Sequence, residues 1–351
     1  MKRLFFLYIA LFLISFAAKS NNIKDCELEK KIIKEFTTNV NSWINIQNKF
    51  GKVQIIEHNL DKVIFEVTIV TETTDPDKAN RIFNSIDVQF SELNNKISAI
   101  TNLEDQKGRT SFSINYKVYM KNTLKLDIAN KFGDVILADY LGKCNIEVKY
   151  GTFYANRLKS GSDKPRSQVV LAYSEKSQIK ECSWLKLSMS YSDLEIEKAD
   201  AIILDSKYSK FKIQNCNALV CDSKYDEFDI NSVNSLVVVT KYSDLDIVNV
   251  FKKFDLDAEY TNIEIEKISS KLESMNILAK YTEAEIGLDP ALCFQFEGQQ
   301  KFGEIKLPSN SNISKTNEGI EEYFKGFVGK EGSNSNIKVL IQFGKVLLKY
   351  N

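Results

Sequence analysis

The stretch SKYSKFKIQNCNALVCDSKYDEFDI occupies residues 206–230, and within it SKYSKFKI (206–213) returns as SKYDEFDI (223–230) after 17 residues. Extended in both directions, the same spacing aligns Phe132, Tyr150, Tyr173, Tyr191, Tyr208, Tyr225, Tyr242, Tyr260, Tyr281, Phe302 and Phe343. Most steps are of 17 or 18 residues, with wider ones at Tyr173, Tyr281, Phe302 and Phe343. A fixed interval of this size marks stacked structural repeats and is read before any single motif.

With each ring at position 0, apolar residues recur four before it (Leu187, Leu204, Cys221, Val238, Leu256), three after it (Leu194, Phe211, Phe228, Leu245) and five after it (Ile196, Ile213, Ile230, Ile247). Small residues stand two before it, as Ser206, Ser223, Thr240 and Ala258. Alternation of this kind is a strand buried on one side. Its parity places positions −4, −2 and 0 together, so the ring is expected inside, stacked on its equivalents at a corner, with the phase slipping just after it. The unit at Tyr173 departs, with Lys176 and Gln178 at +3 and +5.

Seventeen residues are too few for a strand–helix–strand crossover. Each unit must therefore wind once around an axis and pair in parallel with the next. The expected fold is mainly β: a single-stranded-type parallel β-helix or solenoid, right-handed by the chirality of parallel connections, with coils of 17–18 residues.

The first 20 residues are read apart from this fold. Lys2 and Arg3 precede an apolar run from Leu4 to Ala18 that ends in small residues, the layout of a secretory signal peptide cleaved near residues 17–20. The run is short for a membrane span. An exported chain, not membrane-spanning after cleavage, is expected. Residues 21–125 read as an α+β capping region. It contains an outlying copy of the repeat, NKFGKVQI (48–55), which matches NKFGDVIL (130–137). VIFEVTIV (63–70), IDVQF, KISAI and SFSINYKVYM read as strands, and DPDKANRIFNSI (75–86) as a short helix with Asp75 as N-cap and Pro76 at its first position. Residues 126–351 form the repeat domain. An insertion at about 309–336 is expected as a loop or short helix over the far end, and NIKVLIQFGKVLLKY (336–350) as the last coil.

The recurring [KN]-[YF]-[GST]-x-apolar-x-[IL], the NKFG copy, the leader and the strand-rich N-terminal segment together resemble one family across nearly the whole mature chain. It is the "putative adhesin" family of bacterial exported β-strand-repeat proteins, a domain of unknown function common in Gram-negative species. The resemblance implies a parallel β-helix and a periplasmic or cell-surface location in a Gram-negative bacterium. It supplies no catalytic residues to transfer.

Composition narrows the chemistry. The 47 basic and 47 acidic residues cancel, so nothing advertises nucleic acid. A single histidine, His58, argues against triad catalysis and histidine metal sites. Of the six cysteines, Cys182 and Cys216 share one repeat position two units apart, beyond disulfide reach, and Cys221 stands where leucine and valine stand elsewhere; one bridge is left open. No catalytic, cofactor-binding or metal-binding residue is singled out.

The outward ladders are the candidate ligand-facing surface. Lys207, Lys224 and Lys241 stand one before the ring; Glu227 and Asp244 stand two after it, and Asp229 and Asp246 four after it. Stacked like charges repel, and Lys210 and Lys212 are placed to compensate. The leading reading is a non-enzymatic envelope protein, adhesin-like or structural, that binds an unidentified protein or glycan and is able to self-associate. The alternative is a carbohydrate-active β-helix, a hydrolase or lyase, using paired carboxylates of the ladder.

Overall fold

The structure, a computed structural model, describes residues 28–73, 75–104, 111–159 and 167–351; the leader and Cys26 lie outside them. Strand makes up 74% of the described residues and helix 3%, and the pairing is mostly parallel. The chain divides into two compact units, Met1–Tyr154 and Ala155–Asn351.

The first unit holds β1 (Leu28–Thr37), β2 (Trp43–Lys49), β3 (Val53–Glu57), β4 (Lys62–Thr71), α1 (Pro76–Ser85), β5 (Ile86–Leu93), β6 (Lys96–Leu103), β7 (Phe112–Met120), β8 (Lys125–Lys131), β9 (Val135–Tyr140) and β10 (Cys144–Lys149). The outlying repeat lands on its relative: Asn48 and Lys49 pair with Asn130 and Lys131, and Val53 pairs with Val135, all in parallel. The other edges of β2 and β3 take β6 and β7, also in parallel. β1, β4 and β7 form an antiparallel layer. Helix α1 starts as its residues require, with Asp75 Oδ1 accepting the N–H groups of Asp77 and Lys78. It buries only Ala79 and Ile82.

Strand β11 (Phe153–Leu158) leads into the second unit. There follow β12 (Ser167–Ala172), β13 (Ser177–Ser190), β14 (Asp193–Lys207), β15 (Lys210–Lys224), β16 (Glu227–Lys241), β17 (Asp244–Glu259), β18 (Asn262–Ile268), β19 (Ser274–Leu288), β20 (Phe294–Lys306), β21 (Ser311–Glu318), β22 (Glu321–Val328) and β23 (Ser335–Tyr350). From β14 to β16 each residue pairs in parallel with its equivalent 17 positions on: Phe211 with Phe228, Ile213 with Ile230, Lys207 with Lys224. Each such layer is a rung. In the Tyr225 rung the buried residues are Leu219, Cys221, Ser223, Asp226, Phe228, Ile230 and Val233. Cys144, Cys182, Cys216, Cys221 and Cys293 are free thiols. Burial pushes the Cys182, Cys216 and Cys221 thiols up, to about 12 for Cys216, so they act as small apolar core residues.

The rings do stack at a corner, but on the outside. Tyr173 to Tyr281 are 41–48% exposed, which corrects the parity argument. Every ring of the series sits at positive φ, from 50 to 60° between Phe50 and Phe343. A left-handed residue breaks the two-residue alternation, so the phase slips one position early, between the residue at −1 and the ring. Two consecutive side chains, a lysine and a tyrosine in SKYS and SKYD, therefore point out, and the residue at +1 points in. The Tyr173 rung obeys the same rule after all. Lys176, at φ 57°, is one extra residue; beyond it Ser177 pairs with Leu194 and Ile179 with Ile196, both buried.

A left-handed corner costs roughly 1–2 kcal/mol for a residue with a Cβ, and the stacked rings supply an offset of similar size, about 0.5–1.5 kcal/mol per pair. Centroids from Tyr173 to Tyr281, then Phe343 and Phe302, are 4.7–5.1 Å apart with planes within 14°. In the first unit Phe50, Phe132 and Tyr150 stack at 5.0 Å.

The corner also frees backbone groups, and position +1 deals with them. Ser174 N–H donates to Ser192 Oγ, Ser192 N–H to Ser209 Oγ, and Asp226 N–H to Ser243 Oγ, each one rung on. The same hydroxyls donate back to the carbonyl at −1: Ser192 to Ser190, Ser209 to Lys207, Ser243 to Lys241. The first unit uses glycine at +1 instead. A Cβ on Gly133 would collide with the Gly51 carbonyl, and one on Gly151 with the Gly133 carbonyl; Asn130 Nδ2 donates to that Gly51 oxygen at 2.8 Å. SKYS and NKFG are two chemical solutions to one corner.

The far end departs from expectation twice. Residues 309–336 are neither loop nor helix: β21 and β22 form an antiparallel hairpin, and β22 pairs along β20. Nor is β23 the last rung. It lies between β19 and β20, parallel to both, so the ring order is Tyr281, Phe343, Phe302. Apolar alternation alone does not say beside which rung a strand inserts.

Ser209→Ala removes one acceptor and one donor from a buried corner and should cost about 1–3 kcal/mol. Gly133→Ala should cost more, because the backbone it meets cannot yield. Urea unfolding followed by far-UV circular dichroism checks both; unchanged midpoints would refute this account of the corner.

Candidate functional site

The ring column divides the candidate ladder into two surfaces. Lys207, Lys224 and Lys241 pair rung to rung on the strand entering the corner. Glu227 pairs with Asp244, and Asp229 with Asp246, on the strand leaving it. The seven residues thus flank the tyrosines, cations on one side and carboxylates on the other. They do not converge on a point.

Their charges are partly spent. Lys210 Nζ lies 2.5 Å from Glu227 and Lys212 Nζ 2.9 Å from Asp229, the compensation anticipated for stacked carboxylates. Each lysine is held more firmly protonated by its hydrogen-bonded carboxylate. Lys241 pairs with Glu259 at 2.8 Å, so the one acidic exception in the lysine column neutralises its neighbour. Lys349 pairs with Glu285. Asp244 accepts from Asn262 Nδ2 at 3.0 Å. Lys207, Lys224 and Asp246 carry no ion pair among the described residues. Exposed pairs of this kind contribute about 0–1 kcal/mol each, so they set the surface charge pattern more than the stability.

Two shallow grooves lie on the carboxylate side. One, about 530 Å³, is lined by Asp244, Asp246, Glu264, Glu283, Glu285 and Lys345. The other, about 430 Å³, is lined by Asp193, Glu195, Lys210, Lys212, Glu227 and Asp229. The first is acidic and the second of mixed charge. Among the described residues no three histidine, cysteine or carboxylate side chains are grouped so as to hold a metal ion. No helix of the described residues is long and apolar enough to cross a membrane.

Behind the ladder sits a buried carboxylate that the apolar repeat pattern does not single out. Asp226 occupies +1, the serine position, and is 4% exposed. Its Oδ1 accepts the Ser209 N–H at 2.8 Å and its Oδ2 the Ser206 hydroxyl at 2.5 Å. Desolvation nevertheless dominates and pushes its carboxyl up to about 6. The signal was available: SKYD breaks a column otherwise filled by Ser192, Ser209, Ser243 and Thr261. Three groove residues at the far end, Gln299, Thr316 and Tyr323, had no such signal, because only the hairpin brings them together.

No protein-family model matches the chain, and no curated protein sequence does. Among solved structures, a "putative cell adhesion protein" from Clostridium sporogenes is 11% identical, covering 92% of this chain and 100% of that one, with a TM-score of 0.20. A "putative adhesin" from Bacteroides fragilis is 12% identical, covering 92% and 97%, at 0.30. A "putative lipid binding protein" from Parabacteroides distasonis is 7% identical, covering 91% and 96%, at 0.35. The first two names coincide with the family that the repeat motif resembles. At such scores they transfer no residue, ligand or activity to this chain.

Asp226 makes a pH prediction. Its folded pKa lies above the unfolded value of 3.8, so its contribution to stability is complete below about pH 4 and is lost as pH rises through about 6. The loss amounts to about 3 kcal/mol for a shift of this size. Asp226→Ser, which restores the column's usual residue, should raise the unfolding midpoint at pH 7 and flatten its pH dependence between 4 and 7. Chemical denaturation at a series of pH values reads both, and a variant that is less stable at pH 7 would refute the assignment.

Proposed function

We propose that the chain is an exported parallel β-solenoid of the cell envelope that works by binding, in an adhesin-like or structural role, and performs no catalysis. The observation that supports this reading is the register. Because every outward residue stands beside its equivalent one rung on, the surface is a lattice of repeated groups about 4.8 Å apart. Lys207, Lys224 and Lys241 line one side of the tyrosine column, and on the other side carboxylates are interleaved with Lys210 and Lys212. A partner with repeating groups of its own would meet many weak contacts at once, and avidity would follow from their number. The solenoid assignment is supported by the same pairing, residue to equivalent residue, in successive rungs of the second unit. The leader-like first residues support export to the periplasm or cell surface. An unidentified envelope glycan or protein is the partner class, and self-association belongs to the same reading.

The purified protein incubated with an array of envelope and host glycans and proteins tests this when both saturable binding and release of reducing ends are measured. Binding without release is expected, weakened at least tenfold (about 1.4 kcal/mol) by Lys207→Glu together with Lys224→Glu. Release of reducing ends would overturn the proposal in favour of a carbohydrate-active enzyme and direct attention to Asp229 and Asp246.

A further inference from the structure

The hairpin builds a second surface, on the lysine side of the ring column but several rungs beyond Lys241. Strands β21, β22, β20 and β23 lie side by side there, and their registers align two outward rows. One row runs Ser314, Lys325, Glu297, Lys338. The next runs Thr316, Tyr323, Gln299, Leu340. Together they line a groove of about 500 Å³, within the range of small-ligand sites.

The chemistry of the second row is specific. The ladder tyrosines are sandwiched between like rings and offer a partner little beyond their edges. Tyr323 enters no ring pair among the described residues and is only partly buried. Its ring is held in place: Tyr323 Oη donates to Glu321 Oε2 at 2.8 Å, Gln299 Nε2 donates to the same oxygen at 2.9 Å, and Lys301 Nζ reaches Glu321 Oε1 at 3.2 Å. These donors hold the Glu321 carboxyl below its ordinary range, the tyrosine hydroxyl first among them. Glu321 is thereby saturated and acts as an anchor for the ring and the amide. Lys325 and Glu297 lie 3.7 Å apart and offset each other. Among the described residues the Gln299 carbonyl oxygen, the Thr316 hydroxyl and the Lys338 ammonium have no hydrogen-bond or ion-pair partner, and these residues line the groove together with the Tyr323 ring and Leu340.

A fixed ring flanked by uncommitted donors and acceptors suits a ligand with one C–H face and a rim of hydroxyls, each both donor and acceptor. We infer that this groove binds a neutral pyranose oligosaccharide, with Tyr323 as the stacking platform and Gln299, Thr316 and Lys338 bonding its hydroxyls. Near-cancellation of charge around the groove favours a neutral sugar over a polyanion. The inference takes the binding reading further, to a site outside the ladder, and does not need the ladder to bind anything.

Cellotetraose, chitotetraose and mannotetraose, with tetragalacturonate as the charged comparison, are titrated into the full-length protein by calorimetry and by saturation-transfer NMR. At least one neutral tetrasaccharide should bind saturably and more tightly than tetragalacturonate. Tyr323→Ala should weaken it at least tenfold (about 1.4 kcal/mol), Gln299→Ala should weaken it less, and Tyr323→Phe, which keeps the ring, should retain most of the affinity. Matching thermal melts confirm that the variants fold. Binding that survives Tyr323→Ala but is lost in the Lys207→Glu, Lys224→Glu protein would overturn the groove and leave the ladder reading standing. No saturable binding of any neutral tetrasaccharide would overturn the groove alone.

Discussion

The molecule depends on a corner made at positive φ by residues that dislike it. Glycine would turn there at no steric cost, yet the column holds tyrosine and phenylalanine throughout. The ring is what makes the choice sensible, because it stacks on the rungs above and below and shields part of its surface. One rung alone would bear the strain without the stack. The conformation is therefore a property of the assembled stack, not of any eight-residue motif. Position +1 completes the arrangement: an inward hydroxyl receives the N–H of the neighbouring corner and donates to the carbonyl two residues before it.

Register follows from this corner, and the surface follows from register. Since rungs cannot slip without unstacking rings and breaking the hydroxyl chain, each outward residue is forced beside its equivalent. That forces like charges together at Glu227 and Asp244 and at Asp229 and Asp246. The chain answers by interposing Lys210 and Lys212 one rung away and by exchanging a lysine for Glu259. Asp226 shows the limit of tolerance. A carboxylate fits the corner's hydrogen bonding, but burial raises its pKa toward neutrality.

The C-terminal part breaks the sequential order. Strand β23 enters between β19 and β20, while the hairpin turns back against β20 in the antiparallel sense. The hairpin occupies the edge of β20 that a further parallel rung would have taken. It also places Tyr323 beside Gln299 and Thr316, a grouping that arises nowhere in the regular repeat.

Local pattern was enough for the rung. Interval, inward Phe and Ile at +3 and +5, the stacking of rings at a corner, the match of NKFG at 48–51 to NKFG at 130–133 and the Asp75-capped helix all follow from short-range periodicity and capping, which depend on neighbours in the chain. The side on which the ring lies did not, because parity presumes extended backbone and the left-handed residue inverts it. Nor did the place of β23, the antiparallel turn of residues 311–328 or the groove at Tyr323. Each of these depends on which distant strand supplies the hydrogen-bonding edge, and the alternation of apolar and polar residues is the same whichever edge is taken.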